Sequence, residues 1–230
     1  MTRLGGVAAI ILALSYVAIT ALYITAGAIP DYVGQPWLEY LHGQQVVWWS
    51  IAGLSVLTDV LFLVVAASLY VALRSADATA AFVGAGLLAL FAILDLAVTW
   101  PNYAALITLS GQYAASTDDA RREALAVAAD LPAAILGSSL FAVYAILVPS
   151  LGILVLGWVM RRGPFGQGTA YLGVLTGILG IVAVLGPYLV PALGAVVILT
   201  SILTALWVLL VGIRLLRPPG QDAALMSSMR

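Results

Sequence analysis

Two aspartates, Asp59 and Asp95, lie within long apolar stretches of the chain. A charged carboxyl at the centre of a bilayer costs about 2.5–3.5 kcal/mol on insertion scales, so both side chains are expected to face other helices rather than lipid. A carboxyl group in that setting can bind a cation or a hydroxylated ligand, or it can relay a proton. A protonated carboxyl that only hydrogen-bonds a neighbouring helix is the structural alternative.

Polar residues accompany both acids at helical spacing. Ser55 precedes Asp59 by four residues and Thr99 follows Asp95 by four, so each pair lies on one face of a helix. The second stripe continues to Asn102, seven residues after Asp95, and to the adjacent Tyr103. The residues predicted to bind a ligand or a proton are Asp59, Asp95, Thr99, Asn102 and Tyr103.

Weaker polar stripes lie on other apolar segments. They could line the same polar centre, but hydroxyl groups in membrane bundles commonly serve only as hydrogen bonds between helices. Their members are Tyr16, Thr20, Tyr23, Ser138, Ser139, Thr200, Ser201 and Thr204.

Aromatic residues near the predicted ends of the apolar segments suggest interfacial belts. We expect Trp37, Trp48, Trp49, Trp100 and Tyr188 at the outer interface and Trp158 at the inner one. With a rise of about 1.5 Å per residue, Asp95 would lie about 8 Å below Trp100, and Asp59 about 16 Å below Trp48. The two acids would then be successive steps in an outward-open cavity rather than a directly shared carboxyl pair.

The composition excludes several kinds of site. The chain has no Cys and no Lys, so thiolate metal sites, iron–sulfur clusters and Schiff-base cofactors cannot form. His42 is the only histidine, which excludes His-cluster metal centres within one chain, and we interpret it as an interfacial residue. A formal charge of −1 gives no basic footprint for nucleic acid. We therefore predict no cofactor and no nucleic-acid partner.

The elements that must position the acids are transmembrane helices. Of the 230 residues, 63% are hydrophobic and only 8% are charged, with a mean hydropathy of +1.13. A helix needs about 20 apolar residues to cross a bilayer. Six segments qualify, at about 4–29, 46–73, 78–100, 133–160, 169–190 and 192–216. The sequence predicts an all-α bundle of six transmembrane helices that contacts lipid.

Arginine positions predict the orientation of that bundle. Seven arginines fall on one side of a six-span layout, whereas Arg121 and Arg122 fall on the other. Because positively charged loops stay cytoplasmic, both termini are predicted on the cytoplasmic side of a bacterial plasma membrane. Residues 1–217 would form one domain and residues 218–230 a cytoplasmic tail. The first segment is interpreted as a retained anchor, with a cleaved signal peptide as the alternative.

Two further features concern packing. Ser116 and Asp119 fit the start of a short external helix that runs toward Asp130, between the third and fourth spans. Gly173, Gly177 and Gly180 form a small-residue face of the kind that permits close helix contact. The contact favoured is within the chain, with a homo- or hetero-oligomeric contact as the alternative.

Three stretches carry a family resemblance: 69–74 (LYVALR), 102–111 and the run 156–175 that includes GWVMRRGPF. They resemble a bacterial six-helix integral membrane family of unknown function, the domain of unknown function 4386. The resemblance implies an integral membrane fold and supplies no activity or catalytic residue.

Three functions remain open from the sequence. The leading hypothesis is the binding or transport of a small molecule or a proton through an outward-facing polar pocket. The second is a structural or accessory subunit that docks a larger partner through the glycine face and the external helix. A membrane enzyme acting on lipid ranks third, because two acids come with almost no other catalytic groups.

Overall fold

The computed structural model describes residues 2–30 and 34–217, so the predicted tail at 218–230 lies outside the described residues. Over this range the chain is helical, without strands, and it contains six helical segments long and apolar enough to cross a membrane. The predicted all-α, six-span fold is confirmed.

The described part of the chain contains ten α-helices and four short π or 3-10 turns. The α-helices are α1 (Thr2–Ala26), α2 (Gln35–Leu41), α3 (Gln45–Leu73), α4 (Ala78–Leu94), α5 (Trp100–Ala115), α6 (Asp119–Leu136), α7 (Ser139–Ala142), α8 (Val148–Met160), α9 (Gln167–Leu185) and α10 (Val196–Leu216). The π turns are Asp95–Thr99 and Val143–Leu147, and the 3-10 turns are Gly186–Tyr188 and Pro191–Ala195.

The spans form a closed ring in sequence order. Helix α1 packs against α3, α3 against α4, α4 against α8, α8 against α9, α9 against α10, and α10 returns to α1. Short connections between antiparallel neighbours produce this arrangement, which is common in up-and-down bundles. Helix α1, which could have been a signal peptide, packs between the second and sixth spans.

Glycines allow close approach at several helix contacts. A Cβ added to Gly152 of α8 would lie 3.0 Å from the carbonyl oxygen of Gly84, and one on Gly173 would lie 3.2 Å from the Cα of Gly157. A Cβ on Gly177 would meet the Ser150 carbonyl oxygen at 2.7 Å. Without side chains the backbones approach each other and gain dispersion contacts.

The predicted glycine face of the fifth span is therefore occupied within the chain. Gly173, Gly177 and Gly180 all lie against α8, and Gly180 also approaches Thr200 of α10.

Both π turns precede a proline by the same spacing. The turn Asp95–Thr99 ends two residues before Pro101, and Val143–Leu147 ends two residues before Pro149. Proline has no N–H to donate and its ring crowds the preceding turn, so the backbone switches to a wider i→i+5 turn there. The Trp100 N–H accordingly donates to the Asp95 carbonyl, and the Val148 N–H to that of Val143.

One end of the ring carries a helical cap, defined by α2, α5 and α6. Helices α5 and α6 form an antiparallel hairpin, and α2 packs against both. The predicted external helix is thus the second arm of a hairpin that continues the third span. It begins later than predicted, because Asp118 rather than Ser116 is the N-cap and accepts a hydrogen bond from the Ala120 N–H. We call this end of the bundle the capped end.

The predicted outer aromatic belt is wrong for three of its members. Trp37, Trp48 and Trp100 are buried in the cap, whereas Trp49 and Tyr188 are exposed. An amphipathic tryptophan near a span end is predicted at the interface, but here the cap supplies apolar surface that covers these three. The depths of the two acids inferred from that belt therefore lose their basis.

A pair of glycine substitutions tests the close contact between α8 and α9. Gly177→Ala should destabilise the detergent-solubilised protein by about 1–3 kcal/mol, because its methyl group meets backbone of α8. Gly86→Ala is the matched control, since a Cβ there meets no atom of the described chain within 4 Å. Thermal unfolding midpoints measure both, and equal midpoints for the two variants would contradict the packing.

Candidate functional site

A polar cavity of about 350 Å³ lies between the spans, next to the cap. Five of the six spans contribute side chains to it. The fifth span, α9, does not. The lining residues are Tyr16, Ile19, Tyr23, Ser55, Thr58, Asp59, Phe91, Asp95, Thr99, Trp100, Tyr103, Phe141, Ala145, Ile146, Val197 and Ser201.

Asp59 is anchored by a tryptophan. Its side chain is 2% exposed, and Oδ2 accepts a hydrogen bond from the Trp100 indole Nε1 at 2.7 Å. Helix α3 supplies the carboxyl and α5 supplies the donor, so this bond joins the second and third spans. Hydrogen bonding compensates part of the cost of burying the acid.

Asp95 has a different environment. It begins the first π turn, is 7% exposed, and lines the same cavity as Asp59. Its Oδ1 atom is buried and accepts no hydrogen bond from any residue that the structure describes. A buried acceptor without a donor is costly, and binding sites are a recognised setting for such groups.

The two π turns meet at the cavity. The Thr99 hydroxyl and the Tyr144 hydroxyl lie 2.9 Å apart, at hydrogen-bond distance, and both side chains are buried. Thr99 closes the first π turn and Tyr144 lies in the second. Since π turns in helices frequently coincide with functional sites, this contact marks the cavity wall as a specialised region of the bundle.

An aromatic layer separates the cavity from the cap. Tyr103 lines the cavity and stacks on Trp100 and Trp48, with ring centroids 5.6 and 5.1 Å apart. Trp37 and Tyr23 pack edge-on against this stack. Because Trp37 of α2 and Trp48 of α3 are both buried in the cluster beneath the cap, the layer covers the cavity at the capped end.

Tyr40 borders the aromatic layer from α2. Its ring packs edge-on against Trp48 at 5.9 Å, and burial raises the pKa of its hydroxyl.

A smaller cavity of about 90 Å³ continues away from the cap. It shares Tyr16, Phe91 and Ser201 with the larger one and reaches Pro149 and Ser150 beside the second π turn. The open space between the spans therefore extends along the bundle axis, with a mainly apolar lining in the smaller cavity.

Four of the five predicted site residues line the cavity together: Asp59, Asp95, Thr99 and Tyr103. Asn102 does not. Its side-chain amide donates to the Val98 carbonyl at 2.7 Å. The π turn explains the difference, since one extra residue in the turn rotates everything after Thr99 by about 100°. Tyr103 consequently takes the direction that a regular helix would give to Asn102.

Several cavity residues were not singled out as site residues. Tyr16, Tyr23 and Ser201 belonged to the weaker stripes, and Trp100 had been assigned to the interface. Tyr144 does not line the cavity itself, but the second π turn places its hydroxyl against Thr99, which does. Hydroxyls of the other stripe members mostly bond their own helix, as Thr20 does to the Tyr16 carbonyl.

The described part of the chain contains no group of three or more His, Asp or Glu side chains that could hold a metal ion. His42 is exposed between α2 and α3.

No family model, no curated protein and no solved structure matches the chain. The resemblance to domain of unknown function 4386 stays a prediction.

Substitutions at Asp59 test the indole hydrogen bond. Asp59→Leu removes the acceptor and leaves the buried Trp100 N–H unpaired, which should cost about 1–3 kcal/mol of stability. Asp59→Asn has a similar size and keeps an acceptor oxygen, so it should be closer to wild type. Thermal unfolding midpoints of both variants measure the difference. A Leu variant as stable as the Asn variant would contradict the anchoring role.

Proposed function

We propose that this integral membrane protein binds, and moves across the membrane, a small cationic ligand or a proton through the cavity. One observation carries the proposal: Asp95 offers an unpartnered carboxyl oxygen to a cavity that a second acid also lines. Among the described residues that line the cavity, none is an arginine or histidine, so the two buried carboxyls favour a positively charged or hydrogen-bond-donating occupant.

The cavity wall supports the same ligand chemistry. Tyr16, Trp100 and Tyr103 present aromatic rings to the space that Asp95 lines. Aromatic faces attract ammonium groups by about 0.5–2 kcal/mol each, most strongly where water is excluded. In this proposal Asp95 contacts the ligand, whereas Asp59 is a positioning residue that fixes the Trp100 ring.

The accessory-subunit alternative has less support. It relied on the glycine face of the fifth span and on the external helix, and α8 of the same chain covers the glycine face. The lipid-modifying alternative needs a nucleophile and a base beside the acids. The cavity holds hydroxyls, aromatic rings and carboxyls, with no histidine among its lining residues.

We further propose that the capped end faces outward from a bacterial plasma membrane, with both termini cytoplasmic. The support is the arginine distribution. Arg3, Arg74, Arg161, Arg162, Arg214 and Arg217 flank the uncapped ends of the spans, whereas Arg121 and Arg122 lie in the cap. That excess predicts the cytoplasmic side.

The ligand proposal is tested at Asp95 with butylammonium as the probe. In phosphatidylcholine nanodiscs, calorimetry should find that Asp95→Asn weakens butylammonium binding by about tenfold or more. Asp77→Asn is the matched control, because this acid is exposed and caps α4, where asparagine serves equally well. Its affinity should equal that of wild type.

Native mass spectrometry of the same three proteins supplies a second readout. A small co-purifying mass that only Asp95→Asn lacks would support the proposal. Wild-type protein that neither binds butylammonium nor carries such a mass would overturn it. A second polypeptide on ligand-free protein would favour the accessory subunit instead.

The orientation is tested by single cysteines, since the chain has none of its own. Thr117→Cys in the cap should react with a membrane-impermeant maleimide on intact cells. Ser75→Cys, which is equally exposed in the turn between α3 and α4, should react only after permeabilisation. The reverse labelling pattern would invert the topology.

A further inference from the structure

A lipid-facing groove adjoins the cavity. It lies between α1 and α10, has a volume of about 490 Å³, and is walled by apolar side chains such as Leu14, Val17, Ile202 and Leu206. These four side chains are exposed on the outside of the bundle, where the bilayer would surround them. The groove is therefore open sideways rather than toward either end.

The groove and the cavity share two wall residues. Tyr16 and Ser201 line both spaces, so one layer of side chains separates the lipid-facing groove from the chamber that holds Asp95. Ser201 donates its hydroxyl to the Val197 carbonyl of its own helix at 2.9 Å. That bond does not cross to α1, so it does not tie the two helices together at the opening.

The same two helices are close only at the uncapped end. A Cβ on Gly212 would lie 3.0 Å from the Gly6 carbonyl oxygen and 3.1 Å from the Ala9 Cβ. Nearer the cap the groove separates them, between Ala13 and Ile24 on α1 and between Ser201 and Leu209 on α10. At the capped end itself, the aromatic layer of Tyr103, Trp48 and Trp37 covers the cavity.

We propose that the ligand is an amphiphilic amine that enters from the bilayer between α1 and α10, with its ammonium group at Asp95 and its alkyl chain in the groove. This inference rests on the proposed function and names its substrate class. Two buried carboxyls repel the phosphate of ordinary phospholipids, and they attract an ammonium that can donate to Asp95 Oδ1. Alkyl chains gain by leaving water, so such a molecule collects in the bilayer and reaches a lateral opening from there.

The test fills the groove without touching the cavity. Ala21 lines the groove but not the cavity, and it is exposed, so Ala21→Trp should fold and occupy the space of the alkyl chain. Ala18→Trp is the matched control, an exposed alanine on the same helix outside the groove lining. Binding of tetradecylammonium to each protein is measured in phosphatidylcholine nanodiscs, with protein-free discs subtracted.

Ala21→Trp should weaken tetradecylammonium binding by about tenfold and leave butylammonium binding unchanged. Ala18→Trp should change neither, and tetradecyl sulfate, which has the same chain with an anionic head, should bind wild type at least about tenfold more weakly.

Unchanged tetradecylammonium affinity in Ala21→Trp would overturn the lateral groove, even if Asp95→Asn still abolished butylammonium binding and so upheld the polar site. Unchanged binding of both amines in Asp95→Asn would overturn the proposed function and this inference together. Equal losses in the two tryptophan variants would also overturn the groove, because the effect would not depend on its lining.

Discussion

Inside a bilayer a polar group has no water to bond, so the protein itself must supply its partner, and this constraint organises the whole bundle. Most groups comply locally: Thr20, Thr200 and Ser201 donate to carbonyls one turn back on their own helices. Asp59 complies across helices, through the Trp100 indole. Three buried atoms of the described spans lack a partner: the indole N–H groups of Trp48 and Trp207, and the Asp95 Oδ1 atom. Of these three residues, only Asp95 lines the cavity, and the proposed function follows from that placement.

Pro101 and Pro149 create the same requirement for backbone groups. Each removes one N–H from a spanning helix, and each is accommodated by a π turn just before it. The first turn contributes Asp95 and Thr99 to the cavity wall, and the second contributes Ala145 and Ile146. The Tyr144 hydroxyl of the second turn contacts that of Thr99. A backbone irregularity that would be unfavourable against lipid is thus used where it faces a polar cavity.

Composition was enough to predict the six spans, because length and apolarity alone decide what can cross a bilayer. Helical spacing also predicts that Asp59, Asp95 and Thr99 face the interior of the bundle, and all three line the cavity. Two kinds of error came from assumptions about regularity. The register after Thr99 assumed a regular α-helix, which misdirected Asn102, and the aromatic belt assumed that a tryptophan near a span end faces lipid headgroups. Pro101 and Pro149 mark an irregularity in the two spans, but a proline alone does not say whether the helix kinks or widens into a π turn. The cap that buries Trp37, Trp48 and Trp100 has no sequence pattern separable from an ordinary apolar helix.

The ring closes between its first and last spans, α1 and α10, whereas its other neighbours are adjacent along the chain. During synthesis five spans can therefore pack as they emerge, but the seam exists only after the last helix has inserted, and closing it carries the largest sequence separation in the ring. Val197 and Ser201, which complete the cavity wall, arrive with that helix. Under the proposed function, a nascent chain that has not yet inserted α10 lacks these two wall residues and the α1–α10 seam, so it is not expected to hold the ligand.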